Sequence, residues 1–182
     1  DADRPRLDAV ARGTTWGARA LALLLLSIDA LRGAPPGEIR TRFEGIPRDG
    51  LLLSRRAGGW AASYLIWPLL AIDELDLAQG EIDALASAGE RTGSLLAIIG
   101  AAGFSAVVAV RRGDLAAAED RLRAAVELAL ESGATMGATT YGALAGDALL
   151  ERPGLADLAA TITNLELPAP FAATTSGAML LE

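Results

Sequence analysis

The chain has no cysteine and no histidine, and all 16 of its basic residues are arginine, so lysine is absent too. Each gap closes off chemistry. Without cysteine there are no disulfides, no thiolate nucleophile and no Cys-based metal site, and a chain with no disulfide framework is expected in the cytoplasm. Without His and Cys, neither a Ser-His or Cys-His nucleophilic site nor a conventional zinc centre can be assembled. Without Lys there is no phosphate-binding loop of the G-x-x-x-x-G-K-[ST] type and no Schiff-base chemistry. The expectation is a chain with no catalytic residues, no cofactor and no metal. Aromatics are scarce at 4%, although 52% of residues are hydrophobic, so the core must be built of Ala, Leu and Val. Small side chains of that kind suit helices packed closely together. No segment alternates polar and apolar residues with β-branched enrichment for long enough to argue a strand.

Basic excess is lacking as well. A net charge of −7 is the wrong sign for the phosphate backbone, so direct nucleic-acid binding is not expected. Two apolar runs need a reading. Leu21 to Leu26 lies too far from a basic start to be a signal-peptide core and has no plausible processing site. Gly93 to Val110 holds 18 residues without a charge, near the length of a membrane span. Gly100, Gly103, Ser94 and Ser105 dilute it, and its neighbours are amphipathic, so a helix buried on all sides is expected and no membrane partner.

What is present is a recurrence. Leu75, Leu115 and Leu155 stand 40 residues apart, each at the start of a helix-like stretch. Arg32, Arg112 and Arg152 keep register just ahead of such starts, and Gly93 and Gly133 close the helices that two of them open. A period of this length signals stacked supersecondary units. After a short helix or frayed end over 1–13, Thr14 and Thr15 can cap a helix from Trp16 to Leu31. Its expected apolar face is Leu21, Leu24, Leu25, Ile28 and Leu31, with Arg19, Asp29 and Arg32 on the wet side and ends.

A short helix through Glu38, Ile39 and Phe43 follows Pro35-Pro36-Gly37, and 51–56 reads as helical. Trp60 to Ile72 is apolar on nearly all sides and should be kinked at Pro68. Asp73 to Arg91 is amphipathic, with Leu75, Ala78, Ile82, Leu85 and Ala86 inward. Leu115, Ala118, Leu122, Ala125, Val126 and Ala129 repeat that pattern in the next unit. Met136 to Glu151, Leu155 to Leu165 and a start from Phe171 continue the alternation.

The expected fold is therefore all-α: antiparallel helical hairpins stacked as a tetratricopeptide-like right-handed superhelix, with a repeat of about 40 residues. One domain spans 1–182, with a degenerate first repeat about 14–50, clearer repeats about 58–92, 93–133 and 134–167, and a further start over 170–182. Because the chain opens on Asp1 and stops at Glu182 inside a helix-like run, it is expected to be a fragment of a longer protein.

The order Asp73-Glu74-Leu75-Asp76, then a buried Ala/Gly helix ending Val110-Arg111-Arg112-Gly113-Asp114-Leu115-Ala116-Ala117-Ala118-Glu119, carries a resemblance. Ala124-Ala125-Val126-Glu127-Leu128-Ala129 and Ala148-Leu149-Leu150-Glu151-Arg152 extend it. These runs resemble the tetratricopeptide-like region of the large ATP-binding LuxR-family transcriptional regulators, over residues 70–182. The sequence departs from that family's acidic run at Pro153-Gly154-Leu155-Ala156-Asp157. The resemblance implies a non-catalytic interaction or effector-sensing domain, with an ATP-binding module before it and a helix-turn-helix after it. The alternative is a stand-alone tetratricopeptide-like protein–protein adaptor unrelated to transcription.

Candidate sites are few. Asp73, Glu74 and Asp76, and Glu119 with Asp120, fall at helix starts, where acids suit the helix dipole. Arg111-Arg112 ends a helix, where cations suit it equally well. Gly100 and Gly103 admit close approach of either a neighbouring helix or a ligand. Among the rare aromatics, Tyr64, Trp67 and Tyr141 fall on the first helices of their units and form the candidate surface for a protein partner or small effector. Exposed on a concave face they would anchor a ligand; buried, they fill gaps between unequal layers.

Overall fold

Five helix ends are built alike. Gly33, Asp73, Gly93, Gly113 and Gly133 all take positive φ, between 59° and 82°. At each, the next residue's N–H reaches back five residues to a helical carbonyl: Ala34 to Asp29, Glu74 to Leu69, Ser94 to Gly89, Asp114 to Ala109 and Ala134 to Ala129, at 2.7–3.0 Å. This left-handed closure stops a helix and reverses the chain while satisfying carbonyls that the helix leaves orphaned. Glycine adopts it without penalty. Asp73 is the one non-glycine residue with positive φ among the described residues, and aspartate is among the few side chains that tolerate it.

In this computed structural model the described residues are 3–47, 58–134, 140–142, 145 and 156–163. Every element among them is an α-helix, and none is a strand. They are α1 (Arg4–Ala11), α2 (Trp16–Leu31), α3 (Pro36–Glu44), α4 (Gly58–Ala71), α5 (Leu75–Thr92), α6 (Leu95–Arg111), α7 (Leu115–Glu131) and α8 (Ala156–Thr163). The helix expected over 51–56, the start from Phe171, residue Leu155 and most of the helix expected from Met136 to Glu151 lie outside the described residues. Tertiary contacts divide the chain into Asp1–Ala97 and Ile98–Glu182.

In the first unit α2 is central, packing against α1, α3 and α4, while α4 packs on α5. The Thr15 hydroxyl accepts from the Ala18 N–H at 3.2 Å and starts α2, as its position suggests. The buried face of α2 differs from expectation. Leu23, Leu25, Leu26, Ala18 and Ala30 are buried, whereas Leu31 is 70% exposed. Arg19, expected on the wet side, is only 9% exposed. Leucine fills most positions between 21 and 26, so periodicity cannot orient the helix, and packing decides instead.

Ser27 is buried and satisfied by the carbonyls of Leu23 (2.9 Å) and Tyr64 (3.3 Å), which ties α2 to α4. Pro68 lies inside α4 as expected, and Ile39 and Phe43 seat α3 with no exposed surface. In α5 the buried residues are Ala78, Ile82, Leu85, Ala88 and Gly89, with Leu75 and Ala86 half-buried.

The second unit carries most of α6, then α7 and α8. Phe104, Ala106 and Val108 are buried in α6, and Ala118, Leu122, Ala125, Val126 and Ala129 line the inner face of α7. That face is the expected one except that Leu115 is half-buried. Asp114 caps α7, its carboxylate accepting from the Ala117 N–H at 3.1 Å. Arg121 donates to the Ser105 carbonyl at 3.3 Å, and Arg123 forks onto Asp157 of α8 at 3.3 and 3.4 Å. The second contact holds the Asp157 carboxyl below its usual range. Tyr141 packs edge-on against Phe104, with ring centroids 5.3 Å apart. A Cβ at Gly103 would collide with the Tyr141 ring, so close packing is what that glycine serves.

Two stability tests follow from this arrangement. Leu122 is 2% exposed, and Leu122→Ala should destabilise the chain by about 2–5 kcal/mol, read by denaturant titration. Gly80 lies within α5 and Gly133 ends α7 at φ 74°, and a Cβ would meet nothing within 4 Å at either position. Packing is thus equal and only backbone preference differs. Gly80→Ala should stabilise and Gly133→Ala destabilise, each by about 1 kcal/mol. Shifts of the same sign in paired thermal melts would contradict the left-handed assignment.

Candidate functional site

Arginine is unevenly spread. Residues 1–56 hold ten arginines against seven acids, and the remaining 126 residues hold six against sixteen. An otherwise acidic chain therefore has a basic first third, and within it α1, α2 and α3 line a half-open cavity of about 750 Å³. Its wall carries Arg4, Arg12, Arg19 and Arg42 together with Asp8 and Glu38. Leu25, Leu26 and Ile46 are among its apolar lining. This volume lies within the range of small-molecule sites, and an apolar wall bearing a few polar groups is their usual character.

Asp29 organises the charges. From α2 it accepts Arg4 Nη1 of α1 at 2.7 Å, with Nη2 on its other oxygen, and Arg42 Nη1 of α3 at 2.8 Å. Arg4 Nε also reaches Asp8 at 3.0 Å, and Arg42 reaches Glu38 at 3.5 Å. One carboxylate thus ties three helices together and aims two guanidinium groups along the cavity wall. The hydrogen bond from Arg4 lowers the Asp29 pKa most; burial opposes it, Arg42 adds to it, and the result is about 2 against an ordinary 3.8. Arg4 is correspondingly held still more firmly protonated.

Arg19 sits in the first turns of α2 and Arg12 follows the last residue of α1. Arg12 is exposed, and its side chain makes no ion pair among the described residues. Nothing in the sequence reading singled out this cluster. The crowding of arginine ahead of residue 57 was the available signal.

The residues singled out from sequence lie elsewhere. Tyr64 and Trp67 are half-buried on α4 in the first unit. Tyr141, in the second, is 8% exposed and engaged with Phe104. Of the three rings, Tyr141 is thus the most buried and Tyr64 and Trp67 the more accessible. Asp73, Glu74, Asp76 and Asp114 stand at helix junctions, and Arg111 and Arg112 at the end of α6. Among the described residues no three His, Cys, Asp or Glu side chains gather to hold a metal, and no helix is long and apolar enough to cross a membrane. The chain matches no family model, no curated protein and no solved structure.

The Asp29 tie makes a pH prediction. Its folded pKa is depressed, so the unfolded chain takes up the proton first as pH falls. The tie contributes fully above about pH 4 and is lost as pH drops towards 2. Its contribution is at most about 2 kcal/mol, because the groups remain partly in solvent. Asp29→Asn should therefore lower the melting temperature at pH 7, and the gap from the parent should close between about pH 4 and pH 2. A gap independent of pH would show that the loss is one of packing.

Proposed function

We propose that the chain is a non-catalytic helical-repeat module, tetratricopeptide-like in its stacking, that senses an effector or docks a protein partner within a LuxR-family transcriptional regulator in the cytoplasm. The observation that carries the repeat is the spacing of the left-handed helix ends. Residues 73, 93, 113 and 133 are 20 apart, and residue 33 stands 40 before the first of them. Two helices per 40 residues is the unit that this reading requires. The starts of α5 at Leu75 and α7 at Leu115 keep the same period. Stacked hairpins of this kind form extended concave binding surfaces.

The regulator reading also draws on the resemblance at Val110 to Glu119, and sensing fits the arginine-lined cavity bordered by α1, α2 and α3. In this proposal ATP hydrolysis and DNA contact belong to flanking domains of the same protein. The stand-alone adaptor is the reading that replaces it if those domains do not exist.

The reading frame that contains this chain tests the regulator directly. It should encode a nucleotide-binding module before residue 1 and a helix-turn-helix after residue 182; a frame without either establishes the adaptor. The chain itself should not retard duplex DNA at about 50 mM salt, where non-specific electrostatic binding is strong. Micromolar binding there would overturn the assignment of DNA contact to another domain.

A further inference from the structure

We propose that α1 is a releasable strap. The Arg4–Asp29 ion pair, rather than apolar burial, holds it on α2, and it opens locally while the rest of the first unit stays folded. This goes beyond the reading proposed above and needs neither the regulator nor the adaptor to be correct.

The first observation is which side of α1 meets the protein. Arg4, Asp8 and Ala11 are its least exposed residues, and their spacing puts them on one face. Its two large apolar residues lie off that face, Leu7 40% exposed and Val10 59%. No residue of α1 is buried. A helix on a globular protein ordinarily turns its apolar stripe inward. This one packs on α2 by a charged and small-residue face instead, so little apolar surface leaves water when it docks.

What holds α1 is ionic. Arg4 forks onto both oxygens of Asp29, and its Nε on Asp8 keeps the guanidinium aimed. A two-pronged arginine–carboxylate pair is among the stronger ion pairs, and here both side chains are only partly in solvent. Asp29 also accepts Arg42 of α3, so the carboxylate keeps a partner when α1 leaves. Little within α1 would keep it helical alone. It has eight residues, no side-chain cap, and neither an acid in its first turn nor a base in its last. Arg4 and Arg6 even stand where the helix dipole disfavours cations. Isolated helices shorter than about 12–15 residues are marginal in water, so a released α1 unfolds. Gly13 and Thr14 beyond it are exposed, and α2 has its own cap at Thr15, so release leaves the start of α2 intact. Opening also takes Arg4, Asp8, Ala11 and Arg12 away from the cavity wall.

The test is amide hydrogen exchange on the 182-residue chain at neutral pH, read by mass spectrometry. Amides from Asp8 to Ala11 should exchange about tenfold faster than those in the middle of α2 and α7, yet slower than in an unfolded peptide. Arg4→Gln should speed α1 by about a further tenfold while α2, α3 and α7 stay within about twofold of the parent. Arg42→Gln removes the other leg of the tie and should leave α1 within about twofold. Salt tests the pair without any substitution. Raising sodium chloride from about 0.05 M to about 0.5 M should speed α1 severalfold in the parent and not at all in Arg4→Gln. The proposal is overturned if α1 exchanges in step with α2, because it then opens only with the whole unit. It is equally overturned if α1 is unprotected in the parent, or if neither Arg4→Gln nor salt moves its rate. None of these outcomes bears on the flanking domains, so the strap can fail while the regulator reading stands, and the reverse.

Discussion

Everything in the fold depends on the helices ending where they do. A run of apolar helices has no intrinsic reason to reverse direction; after α2, α4, α5, α6 and α7 it does so because a residue just beyond the helix takes a left-handed backbone. The following N–H then reaches back over five residues and caps the exposed carbonyls. Once α5 and α7 are stopped at Gly93 and Gly133, their apolar stripes must pack on neighbours or remain wet. At Gly33 the capped carbonyl belongs to Asp29, whose side chain draws α1 and α3 onto α2. Backbone closure and ion pairing therefore converge on one residue, and the position of the cavity wall follows from both.

How much of this was legible from sequence depends on whether polar residues mark the pattern. In α7, charges at Arg121, Arg123, Glu127 and Glu131 leave only one possible inner face, and the buried set is the expected one apart from Leu115. Helix starts at Leu75 and Leu115 and stops at Gly93 and Gly133 were equally plain, because turn chemistry is local. The face of α2 was not. Its leucines surround the helix, so the burial of Leu23 and Leu26 over Leu31 reflects neighbours that lie far away in sequence. The same holds for Asp29 and Arg19. Both read as solvent-side residues because charge normally marks the wet face, yet one is a tie among three helices and the other a buried part of a cavity wall. The partners of Asp29 lie 25 and 13 residues away, beyond the reach of any helical period.

The charge distribution gives the chain two electrostatic characters. A summed charge of −7 conceals a basic first third followed by a strongly acidic remainder. At physiological salt the screening length is about 8 Å, so the potential along the cavity wall is set by the charges beside it far more than by distant acids. Net charge thus argues against a polyanionic partner wrapped over the surface, while the local field of the first unit is a separate quantity. The two address different length scales and do not conflict.

Gly103 and Tyr141 illustrate how such a protein can and cannot change. The phenol ring occupies the space that any side chain at 103 would need, and it leans on Phe104 as it does so. Neither residue can be judged alone. A methyl group added at 103 collides with the ring while the ring is present, whereas shrinking the ring first leaves a void beside Phe104 that a methyl at 103 would fill only in part. Divergence at this point must therefore take two steps, and either order passes through a weaker intermediate. Among descendants of this chain the two positions should be inherited as one character.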